Sequence, residues 1–110
     1  MTKISPVLPH ELHDWLERDE AVLIDVREPQ EYHQQAIQSG PNVPLGTVSK
    51  DTVEVAEGET RKVVLYCKAG VRSFMACQKL QAEQVSYDVW NLEGGIEAWK
   101  ASGLPVTIPE

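Results

Sequence analysis

Short apolar runs alternating with helically spaced segments constrain this chain more than any other feature. Residues 21–26 (Ala-Val-Leu-Ile-Asp-Val), 63–66 (Val-Val-Leu-Tyr) and 87–92 (Tyr-Asp-Val-Trp-Asn-Leu) read as strands. Between them the spacing is helical. Pro9 is suited to open a helix in which Leu12, Trp15 and Leu16 share a face, and Glu28-Pro29 opens a second. Ser73, Ala76, Cys77 and Leu80 share one face of a third, running to about Gln84. Ile96 and Trp99 lie in a last helix that Gly103 and Pro105 stop. Residues 42–45 (Asn-Val-Pro-Leu) read as a short extended piece, and 46–60 as a short helix with a polar surface turn. Buried strands separated by helices imply an α/β fold, a mostly parallel sheet covered on both faces. At 110 residues the expectation is one domain over 1–110, able to form a core without metal or disulfide staples.

Charge and cysteine content exclude several function classes. The net charge of −7 argues against nucleic acid and anionic membrane as partners. No apolar run is long enough to span a bilayer, and residues 1–6 lack the apolar stretch of a secretory signal, so a cytoplasmic location is expected. Cys67 and Cys77 match neither a disulfide framework nor zinc-ligand spacing, and both should be thiols in a reducing compartment. His10, His13 and His33 lie in polar helical surroundings and read as surface residues. No metal or other cofactor is expected.

The charge is unevenly spread. Residues 61–80 contain Arg61, Lys62, Lys68, Arg72 and Lys79 and no carboxylate, a local +5 that leaves −12 on the rest. Inside this basic island lies Cys67-Lys68-Ala69-Gly70-Val71-Arg72-Ser73, between a strand end and a helix start. Backbone N–H groups converge there and the helix dipole is positive, so thiolate is favoured over thiol. Five or six successive N–H groups around one sulfur would form an anion-binding nest. Gly70 permits the turn. Arg72 can close the ring or pair with a carboxylate outside it. Ser73 can donate to the sulfur or cap the helix, capping being the plainer role. Asp25 and Arg27, at a strand end, read as an ion pair ordering the nearby loops, with Glu31 joining the same network. Cys77, on the apolar helix face, reads as core.

Several segments carry a family resemblance. Residues 23–32 (Leu-Ile-Asp-Val-Arg-Glu-Pro-Gln-Glu-Tyr) are similar to the Asp-Val-Arg-x-x-x-Glu-(Tyr/Phe) segment of the rhodanese sulfurtransferases. Asn42-Val43-Pro44-Leu45 resembles their Asn-Ile-Pro-Leu, and 67–73 resembles their Cys-x-x-Gly-x-Arg-Ser active loop. Residues 92–99, followed by Gly103-Leu104-Pro105-Val106, resemble their Leu-x-Gly-Gly-x-x-x-Trp ending. These matches span nearly the whole chain in the expected order. One departure stands out: Ala36 occupies the place of a customary His, which puts any role of that His in doubt and predicts local rearrangement without loss of the fold.

The resemblance implies a rhodanese-like sheet of about five strands. It implies a thiosulfate or thiol sulfurtransferase in which Cys67 takes a sulfane sulfur as a persulfide and passes it to cyanide or a thiol. Lys68, Ala69, Gly70, Val71, Arg72 and Ser73 then form the substrate and persulfide loop, with Asp25, Arg27 and Glu31 as structural support. The partners are a small anionic sulfur donor and a thiol or cyanide acceptor, with a protein sulfur acceptor also open. Two other readings stand beside it. One is a non-catalytic interaction module, or a persulfide carrier serving a partner protein. The other is a phosphatase or arsenate reductase, whose loops resemble Cys-x5-Arg; the Cys67-x4-Arg72 ring here is tighter and suits one extra sulfur atom.

Overall fold

A computed structural model describes residues 2–110. Four strands, β1 (Ile4–Val7), β2 (Ala21–Asp25), β3 (Lys62–Tyr66) and β4 (Val89–Leu92), form one sheet in the order β1-β4-β3-β2. All three pairings are parallel, with Leu23 opposite Val64 and Leu65 opposite Asn91. Helices α1 (Pro9–Glu17), α2 (Pro29–Gln34) and α3 (Val71–Ala82) lie in the three connections, and α4 (Gly95–Ala101) follows β4.

The expected count of about five strands is corrected to four. Residues 42–45 run beside the end of β2, with Val43 and Leu45 donating to Asp25 O and Val26 O at 2.8 and 3.0 Å, but contribute only an isolated bridge between Asp25 and Asn42. A strand not anticipated comes from residues 4–7. It carries Pro6, which a ladder accepts at a sheet edge, and β1 is one of the two edge strands. The expected helix within 46–60 is a single 3-10 turn, Leu45–Thr47.

Local chemistry sets the helix ends. Pro9 and Pro29 begin α1 and α2 with φ already fixed, and the Glu11 and Glu31 carboxylates accept the free N–H groups of Leu8 and Glu28 at 3.2 and 3.1 Å. Helix α3 ends at Ala82 and α4 at Ala101, near the positions that spacing indicated.

Strand alternation divides the core. Val63, Leu65 and Cys67 face α3 and pack with Ala76, Cys77 and Leu80. Val64 and Tyr66 face the other side, against Leu12 of α1 and Ile96 and Trp99 of α4. The period-two alternation of β3 therefore carries Cys67 to the α3 side of the sheet. Each fully buried leucine among these contributes about 1.5–3 kcal/mol of apolar burial. The parallel direction gathers the ends of β2, β3 and β4 along one rim, where Arg27, Cys67 and Gly94 follow their strands.

Ala36 is fully buried and exchanges two 2.8 Å backbone hydrogen bonds with Thr107. Among the described residues no helix is long and apolar enough to cross a membrane, and no group of three His, Cys, Asp or Glu side chains is placed to hold a metal ion. Cys77 is buried in the core cluster, His10 and His33 are exposed, and His13 is half-buried edge-on to Trp99.

Candidate active site

The Cys67 sulfur lies at the base of the loop between β3 and α3, and the residue is only 1% exposed. Gly70 turns the backbone through φ +102° and directs its N–H to Sγ at 3.1 Å. Burial pushes the Cys67 thiol up. The Ser73 hydroxyl and the N–H groups of Ser73, Gly70 and Ala69 push it down, and together they prevail, so its pKa lies below the ordinary thiol value. Helix α3 makes its first backbone bond from Phe74 N–H to Gly70 O, so the N–H groups of Val71 and Arg72 have no partner within the helix.

Ser73 resolves differently from its plainer expectation. Gly70, not Ser73, holds the N-cap position of α3. The buried Ser73 hydroxyl lies 3.3 Å from Cys67 Sγ and 2.5 Å from Asn91 Oδ1.

Arg72 takes the second of its two open roles. Its guanidinium leaves the ring and forms a two-pronged pair with Glu31 of α2, at 2.7 and 3.0 Å. The Arg72 hydrogen bond holds the Glu31 carboxyl at about 2. Glu31 thus binds the loop arginine, and it feels Arg27 only through space. Asp25 and Arg27 form the expected ion pair, buried and 2.8 Å long. Arg27 also donates to Gln35 O at 2.7 Å, while Asp25 accepts the Tyr66 hydroxyl at 3.1 Å. Desolvation pulls the Arg27 guanidinium down, but the Asp25 hydrogen bond and charge outweigh it and leave it raised. This network links the ends of β2 and β3 behind the loop. Exposed Lys68 sits 4.0 Å from Glu97, a loose pairing that leaves its charge toward solvent.

Cys77 cannot take the same role as Cys67. Burial pushes its thiol up to about 12, and its Sγ faces Trp90 O at 3.8 Å.

Three positions that belong to the site were not read as such from sequence. Asn91 of β4 donates from Nδ2 to Gly70 O at 3.1 Å, tying the loop to the sheet. Gly94 and Gly95 open α4 with φ of +75° and +62°. A Cβ on Gly95 would collide with the carbonyl oxygens of Lys68 and Cys67, so the Cys67 loop rests directly on this turn. Ile96 and Glu97 then donate their N–H groups to Cys67 O and Lys68 O at 2.9 and 3.1 Å. The adjacent glycines before a helix were the available signal.

Beside the loop a cleft of about 450 Å³ is lined by Arg27, Glu31, Gln34, Lys68, Glu97 and Lys100, among others. Three cations and two carboxylates at its wall can hold a small anion, or a larger molecule carrying both signs of charge.

The sequence profile described as the rhodanese-like domain matches residues 8–102. A sulfurtransferase of Allochromatium vinosum is 37% identical over 92 residues, covering 84% of this chain and 83% of that protein. The probable adenylyltransferase/sulfurtransferase MoeZ of Mycobacterium tuberculosis is 37% identical over 104 residues, 94% of this chain but 26% of that protein. An uncharacterized Synechocystis protein, slr1261, is also 37% identical over 90% of this chain, which spans about half (54%) of its length. Among solved structures, a rhodanese-related protein from Thermoplasma volcanium superposes with a TM-score of 0.77 at 25% identity, covering 94% of this chain and 98% of that one. The chain belongs to the rhodanese-like domain family.

Proposed function

We propose that this protein is a sulfurtransferase that moves a sulfane sulfur through a Cys67 persulfide. Family membership and relatives named sulfurtransferases support sulfur transfer in general. The observation that carries the specific reading is the sulfur at the base of the loop, its thiol pKa held down by one hydroxyl and three backbone N–H groups.

The thiolate attacks the outer sulfur of a donor such as thiosulfate. The donor's S–S bond breaks, and sulfite leaves with the electron pair. The product is a Cys67 persulfide whose charge lies on the outer sulfur, within reach of loop N–H groups that stabilise it as an oxyanion would be stabilised. Cyanide or a thiolate then attacks that outer sulfur, and the breaking bond returns its electron pair to Cys67 Sγ. The hydroxyl and backbone N–H groups that lower the Cys67 pKa favour the thiolate, and a thiolate nucleophile requires no general base. Lys68 and Lys100 at the cleft wall draw in the anionic donor.

The phosphatase alternative fits less well. It needs a loop arginine free to bind a tetrahedral oxyanion, whereas Arg72 is engaged by Glu31 outside the ring. A persulfide carrier serving a protein acceptor stays open, since in MoeZ the matched segment is a quarter of a protein named for two activities.

Purified protein given thiosulfate and cyanide should form thiocyanate, and Cys67→Ala should abolish it. Phosphate-ester hydrolysis without thiocyanate would overturn the reading. Mass spectrometry after thiosulfate treatment separates the rest: one added sulfur on Cys67 with negligible turnover indicates a carrier, and no added sulfur indicates a silent module.

A further inference from the structure

Ser73 has one hydroxyl proton and two acceptors. Asn91 Oδ1 is 2.5 Å from its oxygen and Cys67 Sγ 3.3 Å. The orientation of the Asn91 amide is fixed, because Nδ2 donates to Gly70 O at 3.1 Å. Turned over, the amide would place two carbonyl oxygens face to face with no hydrogen between them. Asn91 is also held in register within β4, opposite Leu65 on one side and Pro6 on the other. With the strand holding its backbone and the Nδ2–Gly70 bond holding its amide, Asn91 keeps Oδ1 beside Ser73 when the hydroxyl turns toward sulfur.

We propose that Asn91 is a positioning residue that competes with Cys67 for the Ser73 proton, making this hydroxyl a two-position switch set by the charge on Sγ. When Sγ is a thiol or the inner sulfur of a persulfide it carries no charge, and the proton rests on the closer amide oxygen. When Sγ is a thiolate, the charge draws the hydroxyl over, because hydrogen bonds to ionised groups are roughly twice as strong as neutral ones. The consequence for turnover rests on the persulfide reading above. As an acceptor removes the outer sulfur, the electron pair arriving on Sγ meets a hydroxyl that rotates to receive it. While the persulfide stands, the same hydroxyl stays off the inner sulfur. Asn91 thereby keeps the resting thiolate from being stabilised so far that it becomes a poor nucleophile.

The other groups facing the sulfur do not duplicate this role. Arg72 of α3 acts on it through space but is bound to Glu31, and Lys68 lies on the exposed side of the loop near Glu97. Cys77 of α3 stays neutral, and β4 contains no charged residue.

The test is the pH midpoint of Cys67 alkylation by iodoacetamide in the full chain, with Cys77→Ser as background. It reads the thiol itself and stands whether or not thiocyanate forms. Asn91→Ala should lower the midpoint by about half a pH unit or more, since one competing hydrogen bond is removed. Should that variant not fold, Asn91→Val offers no acceptor and suits a strand. Ser73→Ala should raise the midpoint, and in that background the Asn91 substitution should shift it no further. If Asn91 acts only by tying down Gly70, its removal loosens the loop and the midpoint rises. A rise, no change, or a fall that persists without Ser73 overturns the proposal.

Discussion

Asp25 and Arg27 stand two residues apart in sequence, and both are buried at the end of β2. Their pairing is costly to break from one side, because the surviving charge would stay buried without its partner. Asp25→Ala should therefore destabilise the protein by about 3–5 kcal/mol, read from the urea midpoint. It also removes the acceptor of the Tyr66 hydroxyl. This pair was legible in the sequence, since a carboxylate and an arginine at i and i+2 beyond an apolar run have few other partners within reach. The Tyr66 contact was not, because it joins positions 41 residues apart.

At the scale of elements, the contact between the start of α4 and the Cys67 loop holds the candidate site in shape. Gly95→Ala would drive a Cβ into two backbone carbonyls and also strain a positive φ. The strain alone amounts to about 1–3 kcal/mol. Gly58 has φ +81° with open space where a Cβ would lie, so Gly58→Ala carries the strain without the collision. Gly95→Ala should lower the urea midpoint clearly more than Gly58→Ala does, and should raise the Cys67 alkylation midpoint, which Gly58→Ala leaves alone. The glycine pair was visible in the sequence as a turn before a helix. That the turn presses on Cys67 O and Lys68 O depends on β3 and β4 lying side by side, which no local spacing states.

Across the whole molecule, the Glu31–Arg72 pair joins the helix after β2 to the helix after β3. Hydrogen bonding from Arg72 lowers Glu31 from its ordinary 4.5 to about 2. A carboxyl depressed on folding adds stability above its unfolded pKa, and that stability is lost as pH falls through the folded one. The wild type should therefore weaken between pH values of about 4.5 and 2, whereas Glu31→Gln should show a shallower acid limb. Both side chains are about one-third exposed, so solvent screening reduces the difference to about 1 kcal/mol. Urea midpoints measured across that range check it. The same pair explains why Arg72 does not fill the ring around Cys67.

Sequence alone determined the α/β class, the parallel sheet and the placement of Cys67 between a strand and a helix. These depend on alternation, helical spacing and turn residues, which act over a few positions. It also marked residues 67–73 as one unit. Tertiary structure decided which partners those residues take: Arg72 with Glu31, Ser73 with Asn91, and the loop carbonyls against Gly95. Each joins segments 18 or more residues apart. Such meetings follow from strand order and register, and in a parallel sheet those are settled only when distant segments pack together. The missed edge strand β1 has the same cause, since four residues containing a proline become a strand only when β4 is there to pair with them.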